Sequence, residues 1–169
     1  PISLLIDRLL GEPKRFHPLI GYGVLVDKIE ALLNHGSEKI SKGAIAWLLA
    51  VVPITLLVWL IDQLIGGWWM SILCGWLAIG WQSLRQHGGW VEQALTAGNL
   101  TEARAKLSWI VSRDTSELDP SAISRGGIES VLENGSDAIF APLFWLAVGG
   151  APAVVLYRLC NTLDAMWGY

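Results

Sequence analysis

Residues 43–61, GAIAWLLAVVPITLLVWLI, decide the class of fold. This stretch carries no charged side chain, and a run of about twenty apolar residues suits a helix that crosses a bilayer. Pro53 lies inside it, which membrane helices tolerate better than soluble helices do. Over the whole chain 53% of the residues are hydrophobic and only 16% are charged. The sequence therefore predicts an all-α, polytopic helical integral membrane protein with the lipid bilayer as a partner.

A second uncharged run, residues 63–84, begins directly after Asp62. Gly66 and Gly67 predict a tight turn near its start, and tryptophans flank these glycines, as is typical of a membrane interface. The two runs together predict a transmembrane helical hairpin over residues 43–84.

A third uncharged run, residues 138–157, is long enough to span a bilayer but is interrupted by Pro142, Gly149–Gly150 and Pro152. It forms either one spanning helix or two short helices in a re-entrant hairpin, which other parts of the protein must cover at membrane depth. The sequence leaves both alternatives open, so residues 138–157 are a transmembrane or re-entrant segment.

The third run decides on which side of the membrane two acids lie, and we expect Asp137 and Asp164 on the same side. Basic residues follow both the start of the chain and the hairpin, so both basic loops lie on one side of that hairpin. The positive-inside rule makes this side cytoplasmic. The sequence thus predicts a multi-pass protein of the cell membrane, with amphipathic helices in a cytoplasmic polar region, residues 85–137. No Lys/Arg-rich run points to a nucleic acid partner.

The polar region concentrates charge, since residues 106–137 hold six carboxylates and three basic side chains. Two of its helices have clear start signals. Asn99 with Glu102 is typical of a capping box, and Asp119 followed by Pro120 predicts an N-cap with a first-turn proline. This region therefore predicts short capped helices that carry a candidate active site.

The end of the helix after Pro120 gathers oxygen-bearing side chains. We expect this helix to run to about Glu133 and stop at Asn134–Gly135, where Ser136 or Asp137 caps the next segment. Glu133, Asn134 and Asp137 then converge on one tight turn. Mg²⁺ prefers one or two carboxylates plus substrate phosphates, so this turn is a candidate magnesium site.

Arg113, Asp114 and Thr115 form a second polar group. An arginine can hold a phosphate or carboxylate in a bidentate fork, and Asp114 can bind a metal or act as a base. The plainer alternative is an ion pair plus a side-chain-capped turn. Arg125 and Glu129 lie one helical turn apart and form either a solvated ion-pair stripe or part of a site.

Isolated polar residues elsewhere have simpler interpretations. Asn161 and Asp164 share a helical face and serve either a site or a capping and packing role. His17 is interpreted as a structural hydrogen-bonding residue, and Cys74 and Cys160 as buried, unreactive thiols. No zinc spacing or dinucleotide fingerprint occurs, and any nucleotide is not held by a P-loop.

Several long motifs carry a resemblance to a known family. They are LIDRLLGEPKRFHPLIGYG (5–23), KLSWIVSRDTSELDP (106–120), IESVLENGSDAIFAPLFW (128–145), GGAP (149–152) and NTLDAMWGY (161–169). In this order they resemble the CobD/CbiB family, the adenosylcobinamide-phosphate synthases of cobalamin biosynthesis. The chain departs from the family pattern at Glu12, Gly135 and Ala165, where the family has Asp, Thr and Ser, without loss of an acid. Because family members continue well past Tyr169, the chain resembles their N-terminal part.

The resemblance implies an ATP-dependent amide ligation. The family joins a carboxylate of adenosylcobyric acid, a corrinoid, to the amine of (R)-1-aminopropan-2-ol or its O-phosphate. ATP and Mg²⁺ are the implied cofactors, and other membrane-bound enzymes of cobalamin assembly and a second copy of the chain are candidate partners. Two rival interpretations are an AmpE-like membrane sensor and a small-solute transporter.

The implied roles fall on residues of the polar region and of the last motif. The expected metal ligands are Glu133, Asn134 and Asp137; the catalytic residues are Lys106, Arg113, Asp114 and Asp164; and the cofactor-binding residues are Arg113, Thr115, Arg125 and Asn161. Within this set Arg113 and Lys106 neutralise phosphate, and Asp114 or Asp164 assists the amine.

Overall fold

A computed structural model describes residues 1–13, 17–35, 39–65 and 67–168, and all regular structure in these ranges is helical. The helices are α1 (Ile2–Leu10), α2 (Pro18–Leu33), α3 (Lys39–Ile65), α4 (Trp69–Ala78), α5 (Trp81–Thr96), α6 (Leu100–Leu107), α7 (Pro120–Gly135) and α8 (Ala141–Trp167), with a π-helical turn (Ser136–Phe140) between α7 and α8. The all-α prediction is confirmed for the described residues.

The opening stretch, residues 43–61, lies within α3, a helix of 27 residues. Only 17% of its most apolar window is buried, so most of its leucines and tryptophans face outward. The core helix of a soluble protein would be mostly buried. By length and composition α3 and the continuous helical stretch 120–167 can each cross a membrane, which is consistent with a membrane protein.

The second arm of the predicted hairpin differs from the expectation. Within residues 63–84, α4 has only ten residues, which is about 15 Å of helix against about 30 Å of hydrocarbon. The extended backbone of Ile79 ends α4, and α5 begins at Trp81. Gly67 has the positive φ of a turn residue, whereas Gly66 lies outside the described residues.

The start of α5 is held by contacts from distant parts of the chain. A carboxylate oxygen of the fully buried Asp7 accepts the backbone N–H of Gln82 at 3.0 Å, as an N-cap residue would. The N–H of Gly80 donates to the carbonyl of Ala138 at 3.0 Å. These long-range bonds explain why an uncharged run that reads as one helix is divided in two.

The third run folds back on itself at Gly149–Gly150. A straight helix would separate residue 137 from Asn161 by about 36 Å. Instead the hydroxyl of Tyr157 donates to the backbone carbonyl of Asp137 at 3.0 Å, and the amide of Asn161 reaches the Asp137 carboxylate at 3.3 Å. Both glycines have non-helical backbone angles. The two arms of α8, residues 141–148 and 151–167, therefore form a helical hairpin, the geometry of the second alternative.

α7 ends at Gly135 as predicted, but the tight turn that was expected to follow it does not form. Gly135 keeps right-handed helical angles, φ −64 and ψ −39, so it does not serve as a left-handed stop signal. The chain passes instead into the π-helical turn, where the N–H of Ala141 donates to the carbonyl of Ser136, five residues back. Ser136 and Asp137 therefore lie inside a continuous helical stretch and cap nothing.

Both predicted helix starts in the polar region are confirmed. The side-chain oxygen of Asn99 accepts the N–H of Glu102 at 3.1 Å, and its amide donates to the Glu102 carboxylate. Asp119 accepts the N–H of Ala122 at 2.7 Å, with Pro120 in the first turn. Each cap satisfies a backbone donor that the helix leaves unpaired.

Two kinds of core meet in the fold. α2, α3, α4 and α8 pack through small and aliphatic side chains such as Ala50, Val51, Ala151 and Leu159. α5, α6 and α7 form a separate core in the polar region, centred on Leu107 and other fully buried side chains. Since α7 and α8 are joined by the π-helical turn, that turn lies where the two cores meet.

Gly150 adopts a backbone conformation in the reversal that other residues rarely adopt. Its φ of +63 and ψ of −149 belong to a region that is essentially restricted to glycine. Gly150→Ala should destabilise the full-length protein by about 1–3 kcal/mol in equilibrium unfolding in detergent. Gly43→Ala is the matched control, because a Cβ there meets nothing within 4 Å and φ is ordinary. Equal stability of the two variants would contradict the proposed role of Gly150.

Candidate active site

A cleft of about 770 Å³ opens between the two cores. Its walls come from the first half of α5, the loop after α6, the second half of α7, the π-helical turn and the end of α8. Five carboxylate residues line it: Glu12, Glu129, Glu133, Asp137 and Asp164. Most of the sequence-predicted site residues therefore meet in one place, although they come from segments far apart in the chain.

The α7 wall carries the predicted metal ligands. Glu133, Asn134 and Asp137 all line the cleft and are exposed. The amide nitrogen of Asn134 donates to the backbone carbonyl of Ser130 at 2.8 Å, which leaves its carbonyl oxygen to face a ligand. The structure thus brings three oxygen-bearing side chains to one wall without the tight turn that the sequence predicted.

The α8 wall faces these residues through direct bonds. Asn161 donates its amide nitrogen to the Asp137 carboxylate at 3.3 Å and accepts from the guanidinium of Arg158 at 3.3 Å. Asp164, one helical turn later, also lines the cleft. Asp137 is therefore held on both its backbone and side chain by the returning arm of α8, since Tyr157 binds its carbonyl.

The donor set fits Mg²⁺ bound mainly by substrate. No group of three or more His, Cys, Asp or Glu side chains in the described ranges is close enough to hold a metal alone. Glu133, Asp137 and the Asn134 carbonyl are hard oxygen donors, and Mg²⁺ takes one or two carboxylates plus waters and phosphates. No cysteine is among the described residues that line the cleft. A cysteine there would favour a softer metal.

Arg113 lies in the cleft but is paired. Its guanidinium contacts the Glu129 carboxylate at 3.3 Å, and it lies over Gly126, where a Cβ would collide with it. The two side chains are 52% and 57% exposed, so the ion pair contributes little and exchanges easily. The sequence suggested that Glu129 pairs with Arg125. In the structure Glu129 pairs with Arg113 instead, and Arg125 is exposed and outside the cleft lining.

Asp114 and Thr115 take up local roles beside the cleft rather than in its lining. The Asp114 carboxylate accepts the N–H of Ser116 at 2.9 Å, and this bond lowers the pKa of the exposed Asp114. The hydroxyl of the buried Thr115 donates to the backbone carbonyl of Arg104 at 3.0 Å. The geometry is that of the plainer alternative, a side-chain-capped turn.

Lys106 lies against aromatic rings. Its ammonium is 4.2 Å from the ring centre of Trp109 and 5.5 Å from that of Trp90, in cation–π geometry. His87 packs edge-on against both tryptophans. Trp109 and His87 line the cleft, so Lys106 adds positive charge at its rim rather than within its wall.

Glu12, His87 and Arg158 line the cleft and were not predicted as site residues. Arg158 had a detectable signal, because it is the only charged residue between Asp137 and Asp164. A lone charge in an apolar run is costly and points to a function. Glu12 belongs to the first of the family motifs, whereas His87 enters the cleft through tertiary packing, which no local pattern predicts.

The profile of the family described as CobD/Cbib protein matches residues 1–169. A protein of Stutzerimonas stutzeri named cobalamin biosynthesis protein CobD is 55% identical over 99% of the chain. The protein of that name from Chromobacterium violaceum is 51% identical over 100%, and CbiB of Salmonella paratyphi B is 35% identical over 99%.

The chain belongs to the CobD/CbiB family. It spans about 56% of the length of the Stutzerimonas and Salmonella relatives. No solved structure matches it. This CobD/CbiB chain places the family motif ENGSD (133–137) on one wall of the cleft and NTLD (161–164) on the other.

Thr115 tests how this CobD/CbiB chain builds the loop beside its cleft. Thr115→Val keeps the shape but removes the hydroxyl bond to the Arg104 carbonyl, which keeps the N–H of Ser108 as its other donor, so the loss should cost about 0.5–1.5 kcal/mol of unfolding free energy. Thr115→Ser keeps the hydroxyl and is the matched control. Chemical denaturation of the full-length protein measures both. A Val variant as stable as wild type that has lost nucleotide binding would instead make Thr115 a ligand-binding residue.

Proposed function

We propose that the full-length protein is an ATP-dependent amide ligase of cobalamin biosynthesis. It would join a carboxylate of adenosylcobyric acid to the amine of (R)-1-aminopropan-2-ol or its O-phosphate, giving adenosylcobinamide or its phosphate. The observation that carries this proposal is the joining of the two family motifs at one cleft by the Asn161–Asp137 hydrogen bond. The names of the relatives support the pathway.

The chemistry requires activation of the acid. A carboxylate is a poor acyl donor because its oxygen is a poor leaving group. Transfer of a phosphoryl group from ATP to that oxygen gives an acyl phosphate and ADP, and transfer of an adenylyl group gives an acyl adenylate and pyrophosphate. The amine nitrogen then attacks the acyl carbon. The C–N bond forms as the bond between that carbon and the phosphate oxygen breaks, and a base takes the amine proton.

The α7 wall supplies the metal-binding part of this scheme. Glu133, Asp137 and the carbonyl oxygen of Asn134 would hold Mg²⁺, which supplies charge neutralisation for the phosphates. Asp137 is positioned for this by Tyr157 and Asn161. Its second carboxylate oxygen carries no hydrogen bond in the described residues that would compete with a metal.

Phosphate binding and proton acceptance would fall to Arg113, Asp164 and Lys106. Arg113 would exchange Glu129 for a phosphate oxygen, which costs little because the ion pair is exposed. Asp164 would accept the amine proton, since it is exposed in the cleft, whereas Asp114 is engaged with Ser116 outside the lining. Lys106 would act at long range from its position above Trp109.

The same helices support a proposed membrane arrangement. We place α3 across the bilayer and the α8 hairpin in it as a re-entrant segment, with the cleft and residues 85–137 on the cytoplasmic side. A bulky amphipathic corrinoid could then be held near the bilayer and passed to other membrane-bound assembly enzymes. The family match weighs against the rival interpretations as a sensor or a transporter.

The metal-site assignment is tested by alanine variants. Asp137→Ala and Glu133→Ala should each abolish amide formation, because Mg²⁺ and the phosphate charge it neutralises are lost. The protein should stay folded and membrane-bound. Glu117→Ala is the matched control, since Glu117 is an exposed acid outside the cleft lining. The assay follows conversion of adenosylcobyric acid by mass spectrometry with ATP and Mg²⁺, and thermal shift reports ligand binding. Wild-type turnover in either cleft variant would contradict the metal site.

The topology is tested by cysteine labelling of the full-length protein from each side of the membrane. Cysteines placed at Asp137 and Asp164, with the native cysteines replaced, should react with an impermeant reagent from the same, cytoplasmic side. Trp68→Cys is the control for the opposite side, because it lies beyond the other end of α3. Labelling of positions 137 and 164 from opposite sides would exclude the re-entrant hairpin.

A further inference from the structure

Arg158 has no carboxylate within 4 Å among the residues that the structure describes. It is half-buried in the returning arm of α8 and lines the cleft. In the described part of the chain the one ion pair within 4 Å joins Arg113 to Glu129, so no described carboxylate pairs with Arg158. Its Nε–H is buried and has no hydrogen-bond partner among the described residues. A guanidinium so placed retains most of its capacity to bind an anion.

The immediate neighbours of Arg158 hold it in place without neutralising it. One guanidinium nitrogen donates to the side-chain oxygen of Asn161 at 3.3 Å, and Asn161 donates in turn to the Asp137 carboxylate. His17 lies near enough for the charge of Arg158 to act on it. Burial is the main cause that lowers the pKa of His17, and Arg158 lowers it further against Glu12, so His17 is neutral near pH 7.

Asn161 therefore bridges a cation and an acid that do not pair directly. If residue 161 were apolar, Arg158 and Asp137 would have no bridge, and if it were an acid, it would pair with Arg158 directly. The amide instead accepts from one side and donates to the other, so the guanidinium and the metal-binding acid stand side by side. An oxyanion next to a magnesium ion meets this arrangement well, because a guanidinium binds two oxygens of a phosphate in a fork.

We propose that Arg158, held by Asn161, binds a phosphate group of a substrate in the cleft. The group is either the phosphate monoester of an aminoalkyl phosphate or the terminal phosphate of the nucleotide. This assignment deepens the proposed ligase function and rests on it for the identity of the ligands. Arg158 is a binding residue in this assignment, and Asn161 is a positioning residue.

The test measures binding rather than turnover, with full-length protein purified in detergent and its Mg²⁺ present. The probes are the O-phosphate of 1-aminopropan-2-ol, the unphosphorylated amino alcohol and a non-hydrolysable ATP analogue, each titrated by calorimetry. Arg158→Gln should weaken at least one phosphate probe tenfold or more and leave the amino alcohol unchanged. Loss for the aminoalkyl phosphate assigns the site to the amine substrate, and loss for the analogue assigns it to the nucleotide. Arg85→Gln, an exposed arginine outside the cleft lining, is the matched control.

Two further variants keep the test decisive if Arg158→Gln does not fold. Arg158→Lys retains the charge without the fork and should fall between wild type and Arg158→Gln. Asn161→Asp sets a carboxylate against the guanidinium and should weaken the same phosphate probe, whereas Asn161→Gln should weaken it less. Thermal unfolding checks that each variant is folded.

The outcomes separate this assignment from the proposed reaction. Unchanged affinity of Arg158→Gln for both phosphate probes, or no binding of either probe by wild type, would overturn the role of Arg158. Wild-type protein that binds a phosphate probe through Arg158 but forms no amide would contradict the ligase and leave the anion site standing.

Discussion

The reversal at Gly149–Gly150 is the constraint on which the rest of the structure depends. It turns an apolar run into two short antiparallel arms and brings Asn161 back to Asp137. Without it, the acids of the α7 wall and the polar residues of the α8 wall would lie about 36 Å apart. Gly150 makes the reversal sterically accessible, and the Tyr157 hydroxyl secures it by binding the Asp137 carbonyl. The cleft therefore depends on a backbone feature at the far end of the hairpin, outside the residues that line the cleft.

The π-helical turn complements the reversal. The i→i+5 hydrogen bonds of a π-helix make the turn wider than an α-helical turn. Such turns recur at functional sites because they shift the side chains that follow the turn relative to those before it. Here the turn spans Ser136–Phe140 and so contains Asp137. The carbonyl of Asp137 accepts from Tyr157 instead of serving only its own helix, which is the kind of bond that a widened turn permits. The same turn contributes the Ala138 carbonyl that receives Gly80 and fixes the start of α5.

Local signals in the sequence predicted local structure well. The caps at Asn99 and Asp119 and the apolar stretch of α3 form as expected, because each depends on neighbours within a turn or on composition. α7 ends at Gly135 as predicted, but no tight turn follows, because Gly135 keeps right-handed angles and the chain passes into the π-helical turn. The length of α4 was mispredicted because a distant acid, Asp7, caps the helix after it.

In the candidate site, too, features set by neighbouring residues were predictable and features set by distant contacts were not. Glu133, Asn134 and Asp137 were predictable as a group since they are close in sequence, whereas their meeting with Asn161 and Asp164 was expected from the family resemblance and not from spacing. Thr115 was misleading because a hydroxyl in a polar motif looks the same in sequence whether it faces a ligand or a backbone carbonyl. Arg158 was overlooked although a lone charge in an apolar run is itself a signal.

The electrostatics of the cleft follow from where its charges are anchored. Five acid residues line it, so without ligands its walls repel an anionic substrate. A divalent cation at the α7 wall would reverse this locally, since its charge offsets those of Glu133 and Asp137. Arg158 lies on the opposite side of Asn161 from Asp137, and Arg113 lies at the exposed edge, paired with the Glu129 carboxylate. A cation bound there would therefore favour binding of a phosphate group at the α7 wall, because it would offset the negative charge that the phosphate meets at that wall.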